Sequence, residues 1–262
     1  VDLEGPTVQE ALRHLDEVFE QGKPPGRQDY FGCAFGSGLL CERIGLDEDD
    51  TRNLTRRMLL LLESVPAAGA NVHRVVRDRL VDRYLERHHK DYRPPRFLLN
   101  DVIRYWRTIC VDFEGKIAQD ARDGVIVDKF VMRNAKLRTS RKLLYASGLL
   151  PVLLCHHLKA EHMPAFLRSQ FDAVPTDRVA RAFLHLGQPD AGLRTTAAYS
   201  AWIRLMSDPD RRNALAALDE ATRYESPVFA EVRRIGELID RGLTALLFES
   251  SLATVAPRYV VL

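Results

Sequence analysis

What this chain has little of narrows it first. Its 262 residues hold four cysteines, Cys33, Cys41, Cys110 and Cys155, set far apart with no CxxC pair. Neither a disulfide framework nor a zinc ribbon is written into such spacing, and a reducing cytoplasm is the expected compartment. No apolar run approaches the roughly 18 residues of a membrane span, and the opening VDLEGPTVQEALRHL carries neither a basic leader nor an apolar signal core. A large charge excess is missing too. Lys and Arg number 38 against 36 Asp and Glu, a balance of +2, which is too mild for a general nucleic-acid binder. Internal repeats and low-complexity stretches are absent. What is present is 46% apolar and 28% charged residues, a soluble globular composition on a chain long enough to bury a substantial core.

Apolar residues recur at helical spacing along most of the chain. Val8 to Glu20, Thr51 to Ser64 and Val72 to Lys90 read as helices, separated by QGKPPGRQ and by Pro66 and Gly69. DYFGCAFGSGLLC fits a short strand or a buried loop equally well. From Glu161 onward Pro, Gly and Asp punctuate further helices, with Thr176-Asp177 and Ser226-Pro227 as helix starts, and the terminal RYVVL reads as a short strand. The expected fold is mainly α, a bundle-like array of about eight to ten helices with at most a small N-terminal or C-terminal strand element.

The stretch Phe97 to Lys142 carries more polar chemistry than packing requires. At about 100° per residue, Val102, Trp106, Ile109, Cys110 and Phe113 share one arc of the first helix, and Asn100, Asp101, Arg104, Thr108 and Asp112 share the other. Arg107 adds a further cation. The second helix holds Arg133, Asn134, Lys136, Arg138, Arg141 and Lys142, with no acid between Lys129 and Ala160. Arginine forks and lysine point charges suit phosphate, and Asn or Asp suits a base or ribose. The two faces are expected to meet around one anionic ligand, with Asp112 orienting an arginine.

Three smaller patterns have an alternative reading in packing or capping. Gly36-Ser37 followed by Asp47 and Asp49 has the spacing of a polymerase-β-type metal site. Glu48 intervenes, however, and the acids lead straight into a helix, so they read as its N-terminal turn; replacing both by Asn is expected to cost only about 1 kcal/mol. Arg83 and His88 have the Arg-x4-His spacing of HEPN-type ribonucleases, and they also read as a helix end whose cations Arg87, His88 and Lys90 complement the dipole. Cys155, His156, His157 and His162 match no common zinc spacing and read as structural.

LTRRMLLLLES, RFLLNDVIRYWRTICVDFEGK and RNAKLRTSRKLLYASGLL resemble segments of a little-described group of bacterial nucleotidyltransferase-domain proteins, over roughly Leu46 to Leu154. The resemblance implies a remnant or edge of the transferase domain at 1–45, a helical substrate-binding domain at 46–187 and a helical extension at 188–262. It also implies that Asn100, Arg104, Arg107, Asp112, Arg133, Asn134, Lys136, Arg138 and Arg141 form the helical wall of a site for a nucleotide or other phosphorylated ligand. Mg²⁺ would then be held elsewhere. The same basic face fits a non-catalytic nucleotide- or RNA-binding module, and Arg83 with His88 fits RNA cleavage if they meet across a dimer. No membrane partner is expected.

Overall fold

The run SGLLPVLL at residues 147–154 is apolar on every side, which suits a helix enclosed by others and not one facing water. In the computed structural model it does form the axis of the molecule. The structure describes residues 35–122 and 129–261, with Glu10, Arg13 and Glu17 of an N-terminal helix; the expected helix from Val8 to Glu20 otherwise lies outside the described residues, as does Cys33. Among the described residues there is no strand and there are eleven α-helices: α1 (Ser37–Cys41), α2 (Thr51–Leu62), α3 (Ala70–Leu85), α4 (Arg96–Arg122), α5 (Phe130–Lys136), α6 (Lys142–Leu154), α7 (Met163–Asp172), α8 (Pro175–His185), α9 (Pro189–Ser207), α10 (Pro209–Ala216) and α11 (Pro227–Phe248). The mainly α, bundle-like array is as expected. One helix more than the expected range appears, since Ser37–Cys41 is a short helix and neither strand nor loop. The expected strand at the C-terminal end is not seen among the described residues, because Pro257–Val261 winds as a π-turn.

Helices α2, α4, α7 and α8 all pack on α6, whose residues from Leu143 to Leu154 are buried apart from Tyr145. Pro151 sits inside α6. It has no N–H to donate, and in a helix wrapped by others that loss is offset by packing. Beyond α8, Gly187 takes a left-handed turn at φ 69°, and α9 packs on both α8 and α11. One continuous core runs from Leu40 to Ala256, so this turn lies inside a single packed body.

Two departures from the periodicity reading matter for the site. Helix α3 stops at Leu85, so His88, His89 and Lys90 lie beyond it. The double proline Pro94-Pro95 forces an extended approach and ends helical continuation upstream. Helix α4 runs on to Arg122. Its packed face is Leu98, Leu99, Val102 and Tyr105, and Asp101, assigned to the polar arc, is only 1% exposed.

Between α5 and α6 the chain inserts a π-turn, Leu137–Arg141. Thr139 is buried there and donates its hydroxyl to the Ala135 carbonyl at 2.6 Å, a side-chain bond that competes with the regular ladder.

Candidate functional site

Asp101 is buried because Arg57 is. The Arg57 side chain, 0% exposed on α2, donates through Nη1 to Asp49 Oδ1 at 2.6 Å and through Nη2 to Asp49 Oδ2 at 2.8 Å. Nη2 also reaches Asp101 Oδ2 at 3.2 Å, and Nε donates to the Tyr84 hydroxyl at 3.1 Å. Tyr84 in turn donates to Asp101 Oδ2 at 2.7 Å, and Arg104 Nη1 donates to Asp101 Oδ1 at 2.8 Å. The Gly45 N–H completes the shell on Asp49 Oδ2 at 2.9 Å. Two carboxylates and two guanidiniums are thus balanced, as buried charge requires.

The acidic cluster before α2 therefore divides its work differently from the expected helix entry. Asp50 is the N-cap, accepting from the Asn53 N–H at 2.8 Å. Asp47 is exposed. Asp49 is an internal ion-pair partner. Burial pushes its carboxyl up, but the Arg57 hydrogen bonds and charge and the Gly45 N–H hold it below the usual carboxylate value.

Tyr84 and Gly45 carry this network to a cleft of about 670 Å³. Tyr84 stands on the network and meets Phe97 edge to face, centroids 5.3 Å apart at 78°. Gly45, at φ 74°, passes so close that a Cβ would lie 3.4 Å from Phe97 Cζ. Ile44, Leu46 and Pro94 complete the apolar walls. Around them stand Arg83, Arg87, His88, His89, Lys90, Arg93 and Arg96, with Glu86 the single acid in the lining. Glu86 is taken by Arg83, and Arg96 lies over the Tyr259 ring at 5.5 Å. Among the described residues no ion pair involves Arg87, Lys90 or Arg93.

The rim is held in a conformation it would not choose alone. Tyr92 adopts φ 56°, a left-handed backbone that costs a bulky side chain of order 1 kcal/mol or more. Two tethers impose it: the Tyr92 N–H donates to the Leu158 carbonyl at 2.8 Å, and Asp91 Oδ1 accepts from the Ala160 N–H at 2.8 Å. His88 Nε2 is buried without a partner, as is Arg83 Nε, and burial holds the His88 ring below the ordinary imidazole value.

The residues singled out in the Phe97–Lys142 stretch do not share this cleft. Asn100 and Arg107 are exposed on α4, Arg104 is bound to Asp101, and Asp112 pairs with Lys116 at 2.5 Å and not with an arginine. The acid-free basic run finds its acids on other elements: Arg133 bonds Asp120 at 2.6 Å, Arg141 lies 3.8 Å from Glu63, and Lys142 bonds Asp240 at 2.6 Å. Arg138 lies along Gly236 of α11, and Asn134 is half-buried. Lys136 and Arg141 do line a common cleft of about 440 Å³, together with Ser140, Glu63, Tyr199 and Trp202. The π-turn delivers Ser140 and Arg141 to it.

Removing Arg104 should therefore be mild. Its side chain is 50% exposed and Asp101 keeps Arg57 and Tyr84, so Arg104→Ala is expected to lose no more than about 1 kcal/mol in a urea titration. A loss several times larger would mean that Arg104 carries the network.

The histidines after α6 pack among themselves. His157 Nδ1 lies 3.1 Å from His185 Nε2, His156 Nδ1 lies 3.0 Å from the Leu153 carbonyl, and Cys155 is buried. No group of three or more His, Cys, Asp or Glu among the described residues is placed to hold a metal ion. Nor is any helix among them long and apolar enough to cross a membrane. No protein-family model, curated protein or solved structure matches the chain.

The sequence signal for the cleft was the segment RYLERHHKDYRPPR, in which cations outnumber acids. Such cations suit the dipole of a helix end; only the early stop of α3 at Leu85 turns them toward a common space.

Proposed function

We infer that this helical chain grips a phosphorylated ligand in the cleft at the α3–α4 turn, as the binding part of the nucleotidyl transfer that its resemblance implies. One observation carries the reading: Arg87, Lys90 and Arg93 line an apolar-floored cleft with no acid bonded to them among the described residues. Unneutralised cations beside aromatic walls are a setting for phosphate next to a base, since phosphate accepts charged hydrogen bonds and rings stack. The fixed Tyr92 turn and the buried network beneath Tyr84 keep the donors in place before the ligand arrives, which limits the ordering cost of binding. A cytoplasmic setting, where nucleotides and RNA are met, fits the free thiols of Cys41, Cys110 and Cys155.

Calorimetry with ATP and with inorganic triphosphate tests this. Arg93→Ala and Arg87→Ala are each expected to weaken binding by about 1 to 3 kcal/mol, the range for losing a charged hydrogen bond, with the melting temperature unchanged. Equal affinity in wild type and both variants would remove the cleft from consideration.

A second reading keeps the ligand on the basic run of α5 and α6. Its support is the smaller cleft, where Lys136 and Arg141 face Tyr199 of α9, half-buried and able to stack a base. Glu63 opposes them there, leaving a balance of one positive charge (two cations less one acid). That is weak for a triphosphate. The two sites separate cleanly, because Arg141→Ala lowers affinity in the second reading and leaves it unchanged in the first.

A further inference from the structure

At the opposite end of α3 from the basic cleft, the end of α2, the start of α3 and the turn joining α7 to α8 enclose a second space of about 380 Å³. Arg178 of α8 lines it and is only 2% exposed. Its guanidinium is spent on uncharged oxygens: Nε donates to the Ala173 carbonyl at 3.0 Å, Nη2 donates to the Leu62 carbonyl, and Nη1 reaches Ser147 Oγ at 3.5 Å. No carboxylate among the described residues pairs with it. Burial, together with the positive charge of Arg77, pushes it down to about 10. The carbonyls that end α2 and α7 carry partial negative charge and offset some of this, but a buried ion is ordinarily met by a full counter-charge. The acids in the lining are committed elsewhere. Asp172 is bonded by Arg77, and Glu63 lies 3.8 Å from Arg141 on the side of the smaller basic cleft. Arg74, Arg77 and Arg178 less these two acids leave one positive charge in the lining, and His73, held below the ordinary imidazole value by burial and by Arg77, adds none at neutral pH.

Donors stand at the surface of this buried charge. Arg74 is exposed and gives one Nη2 hydrogen to Asn71 Oδ1 at 3.4 Å, which leaves the rest of its fork and the Asn71 amide N–H groups to a ligand. Ala70 and Asn71, in the first turn of α3, also line the space. That turn has no acid and no side-chain cap, so its N–H groups add further donors. Beside them the lining is apolar and open: Val65 and Val174 are both exposed, next to Pro66 and Pro175. We propose that this cleft captures the C-terminal end of a partner chain, its carboxylate held by Arg74, Asn71 and the first turn of α3 above the buried Arg178, and its apolar last side chain laid against Val65 and Val174. Charge selects a carboxylate, since one uncompensated cation matches one negative charge, whereas a phosphate brings up to about two and would set the second beside the valines. Backbone and guanidinium donors around a chain-terminal carboxylate, with an apolar wall for the last side chain, are a recurrent way of reading a chain end. The site shares no lining residue with the α3–α4 cleft and stands whether or not that cleft takes phosphate.

The test uses the full 262-residue chain and a fluorescein-labelled peptide ending in Gly-Val-Leu, once with a free carboxylate and once as the C-terminal amide. Binding is read by fluorescence anisotropy. The free acid is expected to bind at least about tenfold more tightly than the amide, the factor that loss of one charged hydrogen bond sets. Arg74→Gln should weaken the acid by about tenfold and leave the amide unchanged. Val65→Asp, which puts a like charge beside the carboxylate, should weaken the acid by a similar factor. Both side chains are exposed, so neither change should move the melting temperature. Acid and amide bound equally, or the acid bound undiminished by Arg74→Gln, overturns the capture of a carboxylate. Failure of both peptides to bind up to about 1 mM overturns the site. Isovalerate or inorganic phosphate that displaces the labelled acid as well as the unlabelled peptide does shows a site for small anions, and overturns the reading of a chain end.

Discussion

Arg57→Ala is expected to destabilise the protein by about 3 to 5 kcal/mol, the range measured when one partner of a buried ion pair is deleted. The cause is what it leaves behind. Asp49 and Asp101, whose side chains are each 2% exposed, would lose the guanidinium that bridges them, leaving a buried pair of like charges short of its counter-charge. Tyr84 would lose its Nε donor as well. Urea unfolding followed by circular dichroism measures the loss directly; a cost under about 1 kcal/mol would mean that water reaches the pair as soon as the arginine is gone. The network also sets the response to acid. Because Asp49 is held below its ordinary value in the folded state, its contribution is present above the unfolded value of about 3.9 and is lost as pH falls through the folded one. Wild type should therefore lose stability more steeply than Asp49→Asn below about pH 4.

The second large effect has the opposite sign from what propensity predicts. Alanine in place of glycine inside a helix usually stabilises by up to about 1 kcal/mol. Gly242→Ala in α11 is expected instead to cost about 1 to 3 kcal/mol, the range for overpacking a core. A Cβ there would sit 1.9 Å from Thr195 Oγ1, 3.2 Å from Thr195 Cβ and 3.4 Å from Phe183 Cζ. Thr195 is fully buried, and its hydroxyl is committed to the Ala191 carbonyl at 2.8 Å. Rotation offers little relief, and α9 must move away from α11. Pairing the change with Thr195→Ala removes the closest contact and should recover most of the loss, so the double-mutant cycle should show strong coupling. Additive costs would place the strain elsewhere.

The helices were legible wherever one face is apolar. Leu54, Met58, Leu61 and Leu62 on α2, and Leu80, Tyr84 and Leu85 on α3, recur at helical spacing and are in the core, while Val76 is half-buried and Val75, which the same spacing puts on the buried side of α3, is 61% exposed. Charge was harder to read. Asp101 lay on the polar arc of α4, and nothing local reveals that Arg57, 44 residues earlier, takes it into the interior. The acid-free run from Lys129 to Ala160 looked like an open basic face because neutralisation can come from any distance along the chain: Asp120, Glu63 and Asp240 are supplied by α4, the end of α2 and α11.

By itself, then, the sequence determined the class of fold and the segments that form it, because 3.6-residue periodicity, proline breaks and capping are local properties carried by a few neighbouring residues. The tertiary structure alone decided which charges are used up and which are left to meet a ligand. Ion pairing depends on spatial proximity and burial, and these arise only once α2, α3 and α4 pack together. Thus the cations of the Phe97–Lys142 stretch are largely spent on acids of the packed helices, while Arg87, Lys90 and Arg93, modest in sequence, form no ion pair among the described residues and stand around a cleft whose lining holds no acid but Glu86.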